Sequence, residues 1–169
     1  MALDSLDFSL GISWQFGALA VGSLLLFPFF RGKFAFFAGA LCYSLVDILP
    51  ALFGAKGTIG LWTISGAIAW GAVAFLFSRE KPNGSPMNFA KLGIAGTLLF
   101  DALTGPIAST LVWGIPFPEA LIGQIPFTLK HLLGMAAISF IAAPLLFPSV
   151  RRALSEKKWV ALKPLASQG

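Results

Sequence analysis

Five apolar runs, residues 12–30, 34–53, 59–77, 89–113 and 126–147, take up most of the chain, and the segments between them are short. A hydrocarbon core about 30 Å thick is crossed by roughly 20 apolar residues in helical form. Lipid admits one other solution for the backbone, the closed β-barrel, whose strands alternate polar and apolar residues over about ten positions. The runs are apolar all round and about twice that length, so they read as helices. Only 11% of residues are charged, against about a quarter in a soluble domain, which leaves too little polar surface to coat a water-soluble body. The predicted fold is an all-α integral membrane protein, a bundle of about five transmembrane helices, or six if the long stretch 89–147 holds an additional one. Residues 1–169 form one transmembrane domain, with 149–169 a basic, flexible cytoplasmic tail.

The first eleven residues carry Asp4 and Asp7 but no Lys or Arg. A cleavable signal peptide has a basic leader, so the first run is expected to be a retained span. A single cysteine, Cys42, excludes an intrachain disulfide. Gly105-Pro106 inside the fourth run predicts a kink. Residues 115–118 (Ile-Pro-Phe-Pro) read as a proline-broken connection, and a short half-helix from Glu119 is expected ahead of the fifth span.

Charge placement sets orientation, because Lys and Arg concentrate in cytoplasmic loops. With five spans, Arg31 and Lys33, then Arg79, Lys81 and Lys91, then Arg151, Arg152, Lys157, Lys158 and Lys163 all fall on one side, while Asp4, Asp7, Lys56 and Glu119 fall on the other. The expectation is a multi-pass protein of the cell membrane with its N-terminus outside and its C-terminus cytoplasmic. The net charge of +5 then reports topology and attraction to anionic headgroups. No motif places basic residues on one folded face for nucleic acid.

A charge deep in lipid costs about 2.5–3.5 kcal/mol on insertion scales, so such residues turn to the bundle interior. Asp101 lies mid-span and shares a helical face with Thr104 and Ala108, with Gly105 beside them. Asp47 has Tyr43 and Ser44 one turn away. Gln15 lies in the first run, and Trp62 and Thr63 open the third. Gln124, Thr128 and His131 follow helical spacing, with Lys130 adjacent. Under the predicted topology these groups gather in the outer half, as if lining a polar, aromatic-rimmed cavity open to the outside. Trp62, Thr63, Asp101, Lys130, His131, Asp47 and Gln15 are therefore the candidate substrate-binding residues. Lys130 and His131 offer donors to an anionic or carbonyl group; Asp101 can accept from an amine or hydroxyl, or orient His131.

Plainer readings compete. Asp101 can pair with Lys130 or His131 simply to lock helices together. Trp62 can be an interfacial anchor, and Gln15 and Thr63 can bond a neighbouring helix. The small-residue pairs Ala18/Gly22 and Ala67/Gly71 permit close helix contact, within the bundle or with a partner. One histidine and one cysteine, with no HExxH, GxSxG or Walker A sequence and no metal-ligand spacing, give no basis for an enzyme, a metal or a cofactor. An ATP-driven process would need a separate ATPase.

Three stretches carry a family resemblance. Gly60-Leu61-Trp62-Thr63 followed by Trp70-Gly71 is similar to a G-x-W-T…W-G pattern. Gly96 to Phe100-Asp101 is similar to G-x-x-x-F-D. Pro126-Phe127, His131 and Gly134 fit P-F-x-x-x-H-x-x-G-N. In order and spacing, residues 60–152 resemble the substrate-binding (S) subunits of energy-coupling factor (ECF) vitamin transporters. The resemblance implies a subunit that binds a vitamin or similar small molecule from outside. It then docks on a transmembrane coupling subunit driven by two ATPases, topples, and releases its ligand inside. Two features depart from the pattern: Met135 stands where the family has Asn, and the family has six spans with both termini inside. Two other functions fit the residues without the resemblance: an ion- or proton-coupled carrier using Asp101, and a structural or assembly subunit with a dry interior in which Asp101 pairs internally.

Overall fold

A computed structural model describes residues 22–30, 32–52, 60–81 and 83–156. Their regular elements are helices. A helical turn at 22–26 runs into a 3-10 turn, Phe27–Phe29. Helix α1 is Gly32–Leu52 and α2 is Leu61–Phe77. Helix α3 is Pro86–Trp113 and passes through a π turn at Leu103–Ile107. Helix α4 comprises Phe117–Ala137, a second π turn at Ile138–Ala142, and Ala143–Glu156.

Among the described residues, α1, α3 and α4 are long and apolar enough to cross a membrane, and α2, at 17 residues, is a shorter apolar helix. The outside is the apolar part: Leu111 is 79% exposed, Leu133 75% and Leu145 73%, whereas Thr97 and Asp101 are 1% exposed and Ser139 is fully buried. This inverted distribution suits a solvent of lipid tails, in which apolar side chains lose nothing by facing outward and polar ones must find partners inside. The chain is a multi-pass helical membrane protein.

Close approach through glycine holds the bundle together, as lipid offers no hydrophobic drive between helices. A Cβ on Gly39 of α1 would lie 2.8 Å from the carbonyl oxygen of Trp70 on α2, and Tyr43 occupies the space where a Gly66 side chain would stand. Gly71, of the Ala67/Gly71 pair, takes the ring of Phe36. Gly96 of α3 receives Phe77, and Gly93 receives Ser139 from the π turn of α4. Residues 22–30 seal the same core: Trp70 Nε1 donates to Ser23 Oγ at 3.0 Å, and the Phe29 ring stacks on Phe147, 6.1 Å between centres. The remainder of the first run, with Gln15 and Ala18, lies outside the described residues, as do 157–169 of the tail.

Two expectations change and a third takes a definite form. The irregularity at Gly105-Pro106 takes the form of a π turn. Proline removes one N–H from the ladder, and a π turn reaches back five residues instead of four, so the orphaned carbonyl comes within range of the next N–H. The helix therefore continues. The left-handed backbone of Gly114 (φ 68°) ends α3 at Trp113, where the sequence places the end of the run. The half-helix from Glu119 and the span from Pro126 are one helix starting at Phe117, with Pro118 in its first turn, where the missing N–H costs nothing. Contacts on both sides of Pro126, Gln124 against Gly105 and His131 against Asp101, keep its two halves in line. The tail is helical as far as Glu156.

Candidate functional site

Asp101 and His131 face each other across the α3–α4 contact. The Nδ1 of His131 donates to Oδ1 of Asp101 at 2.9 Å, and the two side chains are 9% and 2% exposed. Helix α3 is the most buried of the three long helices. Asp101 lies twelve residues from its Trp113 end, about 18 Å along the axis, near mid-depth. The pair thus occupies the place where an uncompensated charge is most costly. The ring of Phe127 packs 4.1 Å from that of His131.

The second oxygen of Asp101, Oδ2, is buried and has no hydrogen-bond partner among the described residues. One turn earlier on the same face, the hydroxyl of Thr97 is equally buried and equally without a partner. Thr104, one turn later, is satisfied locally by donating to the carbonyl of Phe100 at 2.8 Å. Gln124 fills the notch left by Gly105 and sits 3.4 Å from the Thr128 hydroxyl. The predicted Gln124–Thr128–His131 face is therefore the face α4 turns toward α3.

The remaining candidates lie elsewhere. Thr63 donates to Oδ2 of half-buried Asp47 in a second polar pair between α2 and α1, and the N–H of Gly60 reaches the same hydroxyl at 3.4 Å. The rings of Tyr43 on α1, Trp70 on α2 and Phe100 on α3 pack together, with centres 5.1–6.4 Å apart. Trp62 is 47% exposed and packs on Trp113, 5.2 Å between ring centres, at the rim formed by the start of α2 and the end of α3. Lys130 is exposed. One residue along a helix turns about 100°, so the neighbour of an inward His131 points away from Asp101. Of the two partners considered for Asp101, the structure selects His131. Gln15 lies outside the described residues.

An open groove of about 420 Å³ runs between α1 and α2, lined by Phe36, Ala40, Ser44, Thr63, Ile64 and Ile68 among others. It reaches Thr63 but neither Asp101 nor His131, and its wall is apolar. Met135, the departure from the motif, is 2% exposed and lies against Gly93, so it is a packing residue at the helix crossing. Thr97 is not among the candidate residues that the sequence singles out. The signal was available: Gly93, Thr97, Asp101 and Gly105 recur every four residues, a small and polar stripe in an apolar run. Among the described residues no group of three or more His, Cys, Asp or Glu can hold a metal ion.

The central site can thus accept hydrogen bonds from a donor placed against Thr97 and Asp101, and the Asp101–His131 pair can share a proton. Comparison with protein-family models, curated proteins and solved structures finds no match.

Proposed function

We propose that this chain is the membrane-embedded substrate-binding subunit of an uptake system of the ECF kind. It would take a vitamin-like small molecule and rely on a separate coupling subunit and ATPases for energy. The observation that carries this reading is the buried Oδ2 of Asp101, which has no partner among the described residues. Buried polar groups are nearly always satisfied, so one that is not calls for an explanation, and a bound ligand is one. Asp101, oriented by His131, is the polar anchor in this reading. Trp62 and Trp113 form the outer rim, and the basic residues Arg79, Lys81, Arg151 and Arg152 mark the cytoplasmic end by the positive-inside rule. A purely structural role accounts for the His131 contact; a bound ligand accounts also for a carboxylate oxygen and a hydroxyl, one turn apart, that no described residue answers.

The test is native mass spectrometry of the gently purified protein, followed by binding measurements on Asp101→Asn and His131→Ala. A co-purifying vitamin-sized mass, lost or weakened in both variants, is the expected result. Clean spectra after incubation with a vitamin mixture, or unchanged affinity in folded variants, would refute the assignment.

One observation favours a second reading. Two titratable side chains in direct contact at mid-depth are the arrangement of a proton relay, as in a small proton-coupled carrier. Uptake by the chain reconstituted alone, driven by a pH gradient without ATPases, would establish that reading in place of the first.

A further inference from the structure

Thr97 and Asp101 stand four residues apart on one face of α3, each 1% exposed, each with a side-chain oxygen that no described residue answers. Side chains at this spacing have Cβ atoms about 5–6 Å apart. A single nitrogen placed between them lies within hydrogen-bonding reach of both oxygens. The missing partner must bring donors, because a carboxylate can only accept.

Charge narrows the choice. Helix α2, packed against α3, contains no charged residue from Leu61 to Phe77. On α4, Lys130 and Glu119 are exposed, and Arg151 and Arg152 lie at the far end. On α1, Asp47 is engaged by Thr63. Among the described residues the imidazole of His131 is the sole group that meets Asp101 as an ion-pair partner, and it meets one oxygen. An anionic ligand group could take the Thr97 hydroxyl as a donor but would be repelled by the carboxylate beside it. A neutral hydroxyl brings a single donor and no charge to the second oxygen. A protonated amine supplies several N–H donors and the opposite charge in one atom.

We infer that Thr97 and Asp101 form a two-acceptor seat for the ammonium end of the ligand, so that the substrate class is a small cationic amine. This rests on the binding reading of the same site and adds Thr97 to it as a residue that touches the ligand.

The experiment uses the full chain in lipid nanodiscs and three probes of one skeleton: ethanolammonium, ethylene glycol and glycolate. Thermal unfolding is followed as each is titrated. Ethanolammonium should raise the unfolding temperature, and the neutral and anionic probes should not. Thr97→Val, which removes the acceptor at constant shape, should weaken the ammonium several-fold, and Asp101→Asn should weaken it roughly tenfold or more. Thr97→Ser should bind as the parent does, which separates loss of the hydroxyl from damage to the fold. Equal stabilisation by glycol or glycolate, or an unchanged response in Thr97→Val, would overturn the inference. Native mass spectrometry of the untreated protein separates the two levels. A co-purifying molecule without an amine defeats this inference and leaves the uptake reading standing. No bound molecule and no response to any probe defeats both.

Discussion

The Nδ1 of His131 lies 2.9 Å from Oδ1 of Asp101, although thirty residues and a reversal of chain direction separate them. The contact pins α4 to α3 at mid-depth and fixes which face of each helix is inward. It also leaves Asp101 half satisfied, because its other oxygen meets no donor among the described residues. A double-mutant cycle with Asp101→Asn and His131→Leu, read by unfolding in detergent, should return a coupling between about 0.6 kcal/mol, the average for hydrogen bonds between membrane helices, and about 1.7 kcal/mol, the largest found. Additive effects would mean that the contact contributes nothing to stability.

Gly66 is a tight point of the α1–α2 interface because Tyr43 fills the space of its absent side chain. Gly66→Ala should destabilise the protein by about 1–3 kcal/mol, the usual cost of overpacking. Tyr43→Ala in the same chain should return part of that loss by emptying the space. Thermal unfolding of the two single variants and the double variant checks this; a double variant worse than both singles by their sum would contradict it.

Thr63 and Asp47 form the second interhelical pair. Thr63→Val keeps the shape and loses the donor, and should cost about 0.5–1.5 kcal/mol, a typical net hydrogen bond. Thr63→Ser should be close to neutral. If the valine variant unfolds at the parent temperature, the pair is incidental.

Trp62 and Trp113 pack together at the exposed rim, and Trp70 is 1% exposed in the core. In variants retaining one tryptophan each, lipids brominated near the headgroup should quench Trp62 and Trp113 strongly and Trp70 weakly, because interfacial rings sit at headgroup level. Strong quenching of Trp70 would place that face of α2 in lipid.

Much of this architecture was legible in the order of residues. The apolar runs mark α1, α2 and α3 to within a few positions, because a lipid solvent makes length and composition decisive. Proline was less informative. Pro126 looks like the start of a span but sits inside α4, since contacts on either side of it outweigh one lost hydrogen bond. Asp101 stood out because charge in lipid demands a partner, and His131 was one of two that spacing allowed. Choosing between His131 and Lys130 required the phase of α4, which is set by the seat of Gln124 against Gly105. Thr97 escaped notice because a threonine in an apolar helix ordinarily satisfies itself on its own backbone, as Thr104 does. Its isolation appears only once the facing helix is in place.

The π turns at Leu103–Ile107 and Ile138–Ala142 have a bearing on how this chain tolerates change in length. Each winds one residue more into the helix than regular α geometry requires. A deletion elsewhere in α3 or α4 rotates everything beyond it by about 100° and turns the inward stripe toward lipid. Removal of Pro106 itself would instead leave an unbroken α-helix with Asp101 and Trp113 on their present faces. These two turns are therefore the places where the long helices can lose a residue without losing their register.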